Sequence, residues 1–165
     1  MTLCPSDHGW NPPAELSERP HACTPSVRVG VDLCSVVSVR DSIERFGERY
    51  LRRVYTDAEL AYAGDEPETQ AQRLAARFAA KEATVKLLRP IDRPDWRTLE
   101  ICHDPVGWTD LVLTGRAAQL AAEAGLSGWS VSLSHDGALA VAVVAAVENV
   151  ENEPKGEMRE RARNR

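Results

Sequence analysis

Alternating apolar and polar residues predict strands near both ends of the central part of the chain. Residues 27–33, Val-Arg-Val-Gly-Val-Asp-Leu, alternate with a period of two, so the valines and the leucine share one face of a strand. A second alternation over 129–135 leads through a turn at Asp136-Gly137 into an alanine- and valine-rich strand over 138–147. The pattern therefore predicts an early strand and a closing β-hairpin.

A helical period governs the middle of the chain. Residues 70–88 are rich in alanine, and their large apolar side chains recur at spacings of four, seven and three, as in an amphipathic helix: Leu74, Phe78, Val85 and Leu88. Further helices are predicted over about 35–47 and 115–124. Thr56 and Glu59 have the spacing of a capping box and predict the start of a short helix.

The remaining segments complete an α+β fold. Residues 64–69 read as a polar loop, and 96–103 with 109–113 as the two strands of a hairpin. Strands and helices are mixed without a regular βαβ alternation, which favours the α+β class, with an antiparallel sheet packed on the long helix.

Composition bounds the organisation of the chain. Its 165 residues, 43% of them hydrophobic, are enough for one domain, which we place at 27–148. The proline-rich residues 1–26 predict a disordered leader, and 149–165 a charged, flexible tail.

A net charge of −5 gives no support to nucleic-acid binding. No segment is apolar enough for a membrane span or a secretory signal, so we expect a cytoplasmic protein without a membrane partner.

The four cysteines have no paired spacing, which favours free thiols in a reducing compartment over disulfides. Cys4 with His8, and His21 with Cys23, could in principle ligate a metal. The segment between them lacks the hydrophobic residues around which a zinc module folds, so we disfavour that interpretation.

Charged residues interrupt the apolar stripe of the long helix. Lys81 falls on the stripe between Phe78 and Val85, and Glu82 and Lys86 lie one turn apart beside it. A carboxylate and two ammonium groups suit a divalent metal and a polyphosphate. The alternative is a solvated face on which Glu82 and Lys86 form an ordinary i,i+4 pair.

Two other segments carry candidate chemistry. Asp32 ends the first strand and points away from its apolar face, a usual position for a Mg²⁺ ligand, although a turn or helix-cap role is the alternative. Ser134, His135 and Asp136 suggest a hydrolytic triad, but consecutive strand residues point to opposite faces and cannot converge. Ser134 and His135 better suit hydrogen bonding to a phosphate or positioning of a substrate; the alternative is a turn histidine without a ligand.

In this order and spacing the segments resemble the holo-acyl-carrier-protein synthase family of 4′-phosphopantetheinyl transferases. Residues 30–33 match its Gly-x-Asp-(Ile/Leu) strand end, and 77–86 match Arg-(Phe/Trp)-(Ala/Ser)-x-Lys-Glu-Ala-x-x-Lys. Residues 55–59 are similar to its Leu-Thr-x-x-Glu helix start, and 132–135 match Ser-x-(Ser/Thr)-His. The resemblance covers about 27–148.

The resemblance implies an enzyme of fatty acid biosynthesis or a related pathway. It would transfer the 4′-phosphopantetheine arm of coenzyme A to a serine of an acyl carrier protein, or of a polyketide or peptidyl carrier, and release adenosine 3′,5′-bisphosphate. Mg²⁺ would be held by Asp32 and Glu82. Glu82, or a water that it orients, would take the serine proton.

The resemblance also implies roles for the other candidates. Lys81 and Lys86 would be fixed positive charges near the phosphates, Lys86 as part of the catalytic set, and Ser134 and His135 would help seat the nucleotide end. The family is a trimer with active sites at subunit interfaces, so we expect a homotrimer.

The chain departs from the family pattern at three places. Residues 87–94 replace a Gly-Thr-Gly loop, 107–109 replace Gly-(Lys/Arg)-Pro, and Ser38 stands where many members have a basic residue that grips the acidic carrier. The arginines after Asp32 could face a carrier or form a solvated face: Arg40, Arg45, Arg49, Arg52 and Arg53. These departures leave open an idle carrier-binding module, and another Mg²⁺-dependent phosphoryl-transfer enzyme is the second alternative.

Overall fold

The computed structural model describes residues 26–104 and 106–148, which contain five strands and five α-helices. Along the chain the elements are β1 (Ser26–Ser35), α1 (Val36–Phe46), α2 (Glu48–Val54), α3 (Asp57–Ala63), α4 (Pro67–Leu88), a 3₁₀ turn (Trp96–Thr98), β2 (Leu99–His103), β3 (Thr109–Leu113), α5 (Gly115–Glu123), β4 (Leu126–Asp136) and β5 (Leu139–Glu148). The predicted α+β class is confirmed. None of the helices in these ranges combines the length and apolar character needed to cross a membrane.

The main sheet is antiparallel, with the last strand at its centre. Its order is β1-β5-β4, with Gly30 opposite Val144 and Asp32 opposite Ala142. The hairpin of β2 and β3 forms a separate two-stranded sheet. The first strand of the chain, β1, therefore pairs with the last strand, β5, so the start and the end of the domain lie side by side.

Helix α4 packs on the main sheet through small side chains. Its buried alanines face buried alanines of β5, which lets helix and sheet approach closely: Ala75, Ala76, Ala79, Ala80 and Ala83 on the helix, and Ala140, Ala142 and Ala146 on the strand. The approach is closest at Gly30 of β1, where an added Cβ would lie 2.1 Å from the carbonyl oxygen of Ala83. A side chain at this position would therefore push the helix away from the strand.

The apolar face of β1 does not face this core. Val27, Val29, Val31 and Leu33 are each 49–65% exposed, whereas Gly30 and Cys34 on the other face are buried. The alternation correctly predicted a strand, but it did not show which face meets the helix.

Three predicted boundaries are wrong for local reasons. Helix α4 begins at Pro67, not at 70, because the Glu66 side chain accepts hydrogen bonds from the amides of Glu68 and Thr69. Helix α1 ends before Gly47, which has a positive φ of 53° and leads into the unpredicted helix α2. Residues 96–98 form a 3₁₀ turn instead of the start of a strand.

The capping box is confirmed. The Thr56 hydroxyl accepts from the Glu59 amide, and the Glu59 carboxylate accepts from the Thr56 amide at 2.8 Å. Cys34 and Cys102 are free thiols; Cys4, His8, His21 and Cys23 lie outside the described residues, as do most of the predicted leader and the whole tail.

Candidate active site

Asp32 lies on the face of β1 that packs against α4. Its side chain is 16% exposed, and its Oδ1 accepts a hydrogen bond from Lys86 Nζ at 2.7 Å. Lys86, in the last turn of α4, also donates to the Val31 carbonyl at 2.9 Å. Because Gly30 admits the helix, the ammonium group reaches both the carboxylate and the backbone of the strand.

Glu82 lies one turn before Lys86 on the same helix. Its side chain is 19% exposed, and its Oε1 accepts from Arg93 Nη1 at 3.2 Å. Glu82 and Lys86 thus have different partners, Arg93 and Asp32, and the simple i,i+4 interpretation does not describe them. An anionic side chain on the helix and another on the strand are each matched by a nearby cation.

Asp32 and Glu82 both contribute to the electrostatic surroundings of the buried Cys34 thiol. Burial raises the pKa of Cys34 to about 11, and the negative charges of Asp32 and Glu82 add to that rise. Both carboxylates therefore act on the same region beside β1.

The donor set fits a hard divalent cation. Two partly exposed carboxylates on facing elements are what Mg²⁺ takes from a protein when substrate oxygens and water fill its other positions. Within 26–104 and 106–148 no group of three or more His, Cys, Asp or Glu side chains could hold a metal. Asp32 and Glu82 are the two carboxylates at this place that could contribute to such a site.

Lys81 points inward and corrects the expectation of a phosphate contact. Its side chain has no exposed surface, and Nζ lies 2.8 Å from Glu59 Oε2 and donates to the Trp96 carbonyl at 2.8 Å. Glu59 Oε1 accepts from the Ile101 amide at 3.0 Å. Burial lowers the pKa of Lys81, and the negative charge of Glu59 opposes that shift. This lysine is the counter-ion of a buried carboxylate.

Ser134 and His135 lie on β4, away from Asp32. Ser134 pairs with Val141 and His135 with Ala140, so they point to opposite faces of the sheet and form no triad. Strand β5 separates β4 from β1, a distance of about two strand spacings or 10 Å. Within one chain the structure brings Lys86 into contact with Asp32 and places Glu82 one helical turn before Lys86, whereas Ser134 and His135 lie two strands away from Asp32.

Three residues that shape the candidate site are not identified by the sequence pattern: Gly30, Glu59 and Arg93. A glycine inside a strand signals close backbone approach, and this signal could have identified Gly30. The capping-box spacing predicts Glu59 as a helix cap, but nothing in the local pattern links it to Lys81. Arg93 follows no periodic pattern, and its contact with Glu82 depends on the course of the loop after α4.

Among the arginines after Asp32, some form pairs within the chain. Arg52 bonds Glu48 at 2.9 Å, an i,i+4 pair within α2, and Arg40 lies 2.5 Å from Glu68. Both arginines remain largely at the surface, so a role towards a carrier stays a prediction.

Comparison with known proteins identifies the family. A family model described as the 4′-phosphopantetheinyl transferase superfamily matches residues 28–144. The chain belongs to this superfamily. Holo-[acyl-carrier-protein] synthase of Herpetosiphon aurantiacus is 41% identical to this transferase over 126 residues, 72% of this chain and 96% of the relative. The synthase of Carboxydothermus hydrogenoformans is 42% identical over 115 residues, 69% of this chain and 92% of the relative.

A solved structure has the same fold. The ACPS–CoA complex of Chronobacterium ammoniagenes superposes on the transferase with a TM-score of 0.66 and 29% identity, over 73% of this chain and 96% of that one. Because these relatives are about 40% identical over most of their length, the chain is an enzyme of the holo-[acyl-carrier-protein] synthase family.

The buried pair predicts a stability phenotype for Lys81. Lys81→Met removes the ammonium group and leaves Glu59 as an unpaired buried charge, so we expect the free energy of unfolding to fall by about 3–5 kcal/mol. Urea unfolding followed by circular dichroism measures this change.

The double variant Glu59→Gln/Lys81→Met, which removes both charges, is the control and should recover much of the loss. Wild-type stability of Lys81→Met together with weaker coenzyme A binding would instead support the phosphate contact.

Proposed function

We propose that the chain transfers the 4′-phosphopantetheine group of coenzyme A to a serine hydroxyl of an acyl carrier protein in a Mg²⁺-dependent reaction. The observation that carries the proposal is the contact of Lys86 on α4 with Asp32 on β1, with Glu82 one helical turn before Lys86, in a member of this superfamily. A structural relative in complex with coenzyme A supports the choice of donor.

The reaction joins the serine oxygen to the phosphorus that carries the pantetheine arm. The phosphoanhydride bond of coenzyme A breaks, adenosine 3′,5′-bisphosphate leaves, and the serine proton passes to a base. Mg²⁺, when held by Asp32 and Glu82, would neutralise charge that develops on the diphosphate.

Lys86 and Glu82 supply the remaining chemistry from this chain. An ammonium group has three N–H donors, and Lys86 uses two on Asp32 and the Val31 carbonyl, so the third can bind a phosphate oxygen. Its side chain is 53% exposed, which leaves it open to substrate. Glu82 takes the serine proton directly or through a water that it orients.

An apolar sheet face that one chain leaves exposed supports a trimer. The exposed face of the main sheet is apolar on β1 and continues through Val143 of β5. Ser134 shares this face, since it lies opposite Val141, which in turn lies opposite Leu33. Packing of three copies through the face would bury its apolar side chains. The resemblance to the family implies that Ser134 and His135 of one copy then contribute to the site of a neighbouring copy.

Mass spectrometry of a carrier protein tests the reaction. After incubation with coenzyme A and Mg²⁺, the fatty-acid carrier should gain the mass of one phosphopantetheine group. Asp32→Ala and Glu82→Ala should each lower the rate by about 100-fold or more, because charge stabilisation at the diphosphate is lost.

Glu123→Ala removes a carboxylate that pairs with Arg116 on α5 and should keep the full rate. Full rates for Asp32→Ala and Glu82→Ala would contradict the site assignment. Coenzyme A binding without a mass gain on fatty-acid, polyketide or peptidyl carriers would indicate the idle carrier-binding module.

Light scattering tests the assembly. Wild type should have the mass of three chains, and Val31→Lys should shift it towards one chain, because an ammonium group would be desolvated in the interface. Val37→Lys changes an exposed valine on α1 and should remain trimeric. A wild-type monomer, or a trimeric Val31→Lys, would contradict this interface.

A further inference from the structure

Arg93 is held beside Glu82 by contacts of its own. Its Nη1 donates to Glu82 Oε1 at 3.2 Å, and its guanidinium lies 5.4 Å from the centre of the Trp96 ring. That ring packs against Phe78 of α4 at 5.3 Å. The arginine side chain is 61% exposed, so part of its donor fork faces solvent.

The loop that carries Arg93 is anchored to α4 at the residues that follow it. Pro90 and Pro94 restrict the backbone on either side of the arginine. The carbonyl of Trp96 accepts from the buried Lys81, which anchors the chain just beyond the loop. The contact with Glu82 therefore comes from an anchored segment.

The Arg93 guanidinium and a divalent metal ion would compete for the Glu82 carboxylate. The oxygen that accepts from Arg93 is one of the two with which this carboxylate could bind a divalent metal, and a guanidinium beside a dication is repelled by it. A diphosphate arriving with the substrate gives the displaced guanidinium a new anionic partner, which suits its planar fork.

We propose that Arg93 is a binding residue that couples metal binding to coenzyme A binding. Without coenzyme A, the Arg93 guanidinium competes with the divalent cation for the Glu82 carboxylate. With coenzyme A bound, the guanidinium leaves Glu82 and hydrogen-bonds the diphosphate instead. The inference rests on the proposed function, because it takes Glu82 as a metal ligand and coenzyme A as the substrate.

The test measures binding, not turnover. The dissociation constant of Mn²⁺ is determined by electron paramagnetic resonance for wild type, Arg93→Met and Arg97→Met in the absence of coenzyme A. Arg93→Met should bind Mn²⁺ about twofold to fivefold more tightly than wild type, since an exposed ion pair no longer competes. Arg97→Met loses the same charge, but from an arginine that pairs with Asp57, and should bind Mn²⁺ as wild type does.

Calorimetric titration with coenzyme A at saturating Mn²⁺ completes the test. Here Arg93→Met should bind coenzyme A more weakly than wild type, because the diphosphate has lost a partner, while Arg97→Met should not change. By reciprocity of coupling, coenzyme A should then tighten Mn²⁺ binding more in wild type than in Arg93→Met.

Several results would overturn the proposal: unchanged or weaker Mn²⁺ binding by Arg93→Met, equal tightening in Arg97→Met, or no Mn²⁺ binding by any of the three proteins. The carrier mass assay on the wild type separates this failure from that of the proposed function. An active wild type with indistinguishable Arg93→Met and Arg97→Met retains the transferase and rejects the role of Arg93.

Discussion

The close approach of β1 and α4 at Gly30 is the constraint on which the candidate site depends. A Cβ at this position would lie 2.1 Å from the carbonyl oxygen of Ala83, so only glycine allows the observed packing. The next residue on the helix-facing side of the strand is Asp32, and the residues flanking Ala83 on the helix include Glu82. The missing side chain thus sets the spacing at which Lys86 reaches Asp32 and at which both carboxylates act on Cys34.

A buried ion pair holds the surroundings of this contact in place. Glu59 joins the start of α3, helix α4 and strand β2 through the Thr56 amide, Lys81 and the Ile101 amide. Lys81 extends the connection to the segment after the Arg93 loop through the Trp96 carbonyl. Burying two charges has a large desolvation penalty, so its value here lies in fixing how these elements meet. The lysine and the glutamate of the helix motif therefore have different surroundings: Lys81 pairs with Glu59 in the interior, whereas Glu82 is partly exposed beside Arg93.

The elements set by local pattern were predictable from the sequence, and the contacts between distant segments were not. Alternation identified β1 and the closing hairpin, and the capping box located α3. The same patterns do not show which distant side chains meet. The position of Lys81 on the helix therefore predicts a phosphate contact, whereas in the structure the carboxylate of Glu59, twenty-two positions earlier, neutralises it. They also did not show that the valines of β1 face outward, because small alanines of β5, and not large apolar residues of β1, line the helix. Arg93 was missed for the same reason, since only the course of its loop brings it to Glu82.

Anomalous diffraction from crystals grown with Mn²⁺ and coenzyme A tests the central claim most directly. We expect one Mn²⁺ peak per chain, with a carboxylate oxygen of Asp32 and one of Glu82 each about 2.1–2.2 Å away, and Gly30 still in contact with Ala83. A peak bound by only one of the two carboxylates, or by neither, would contradict the claim that the strand and the helix together build the metal site.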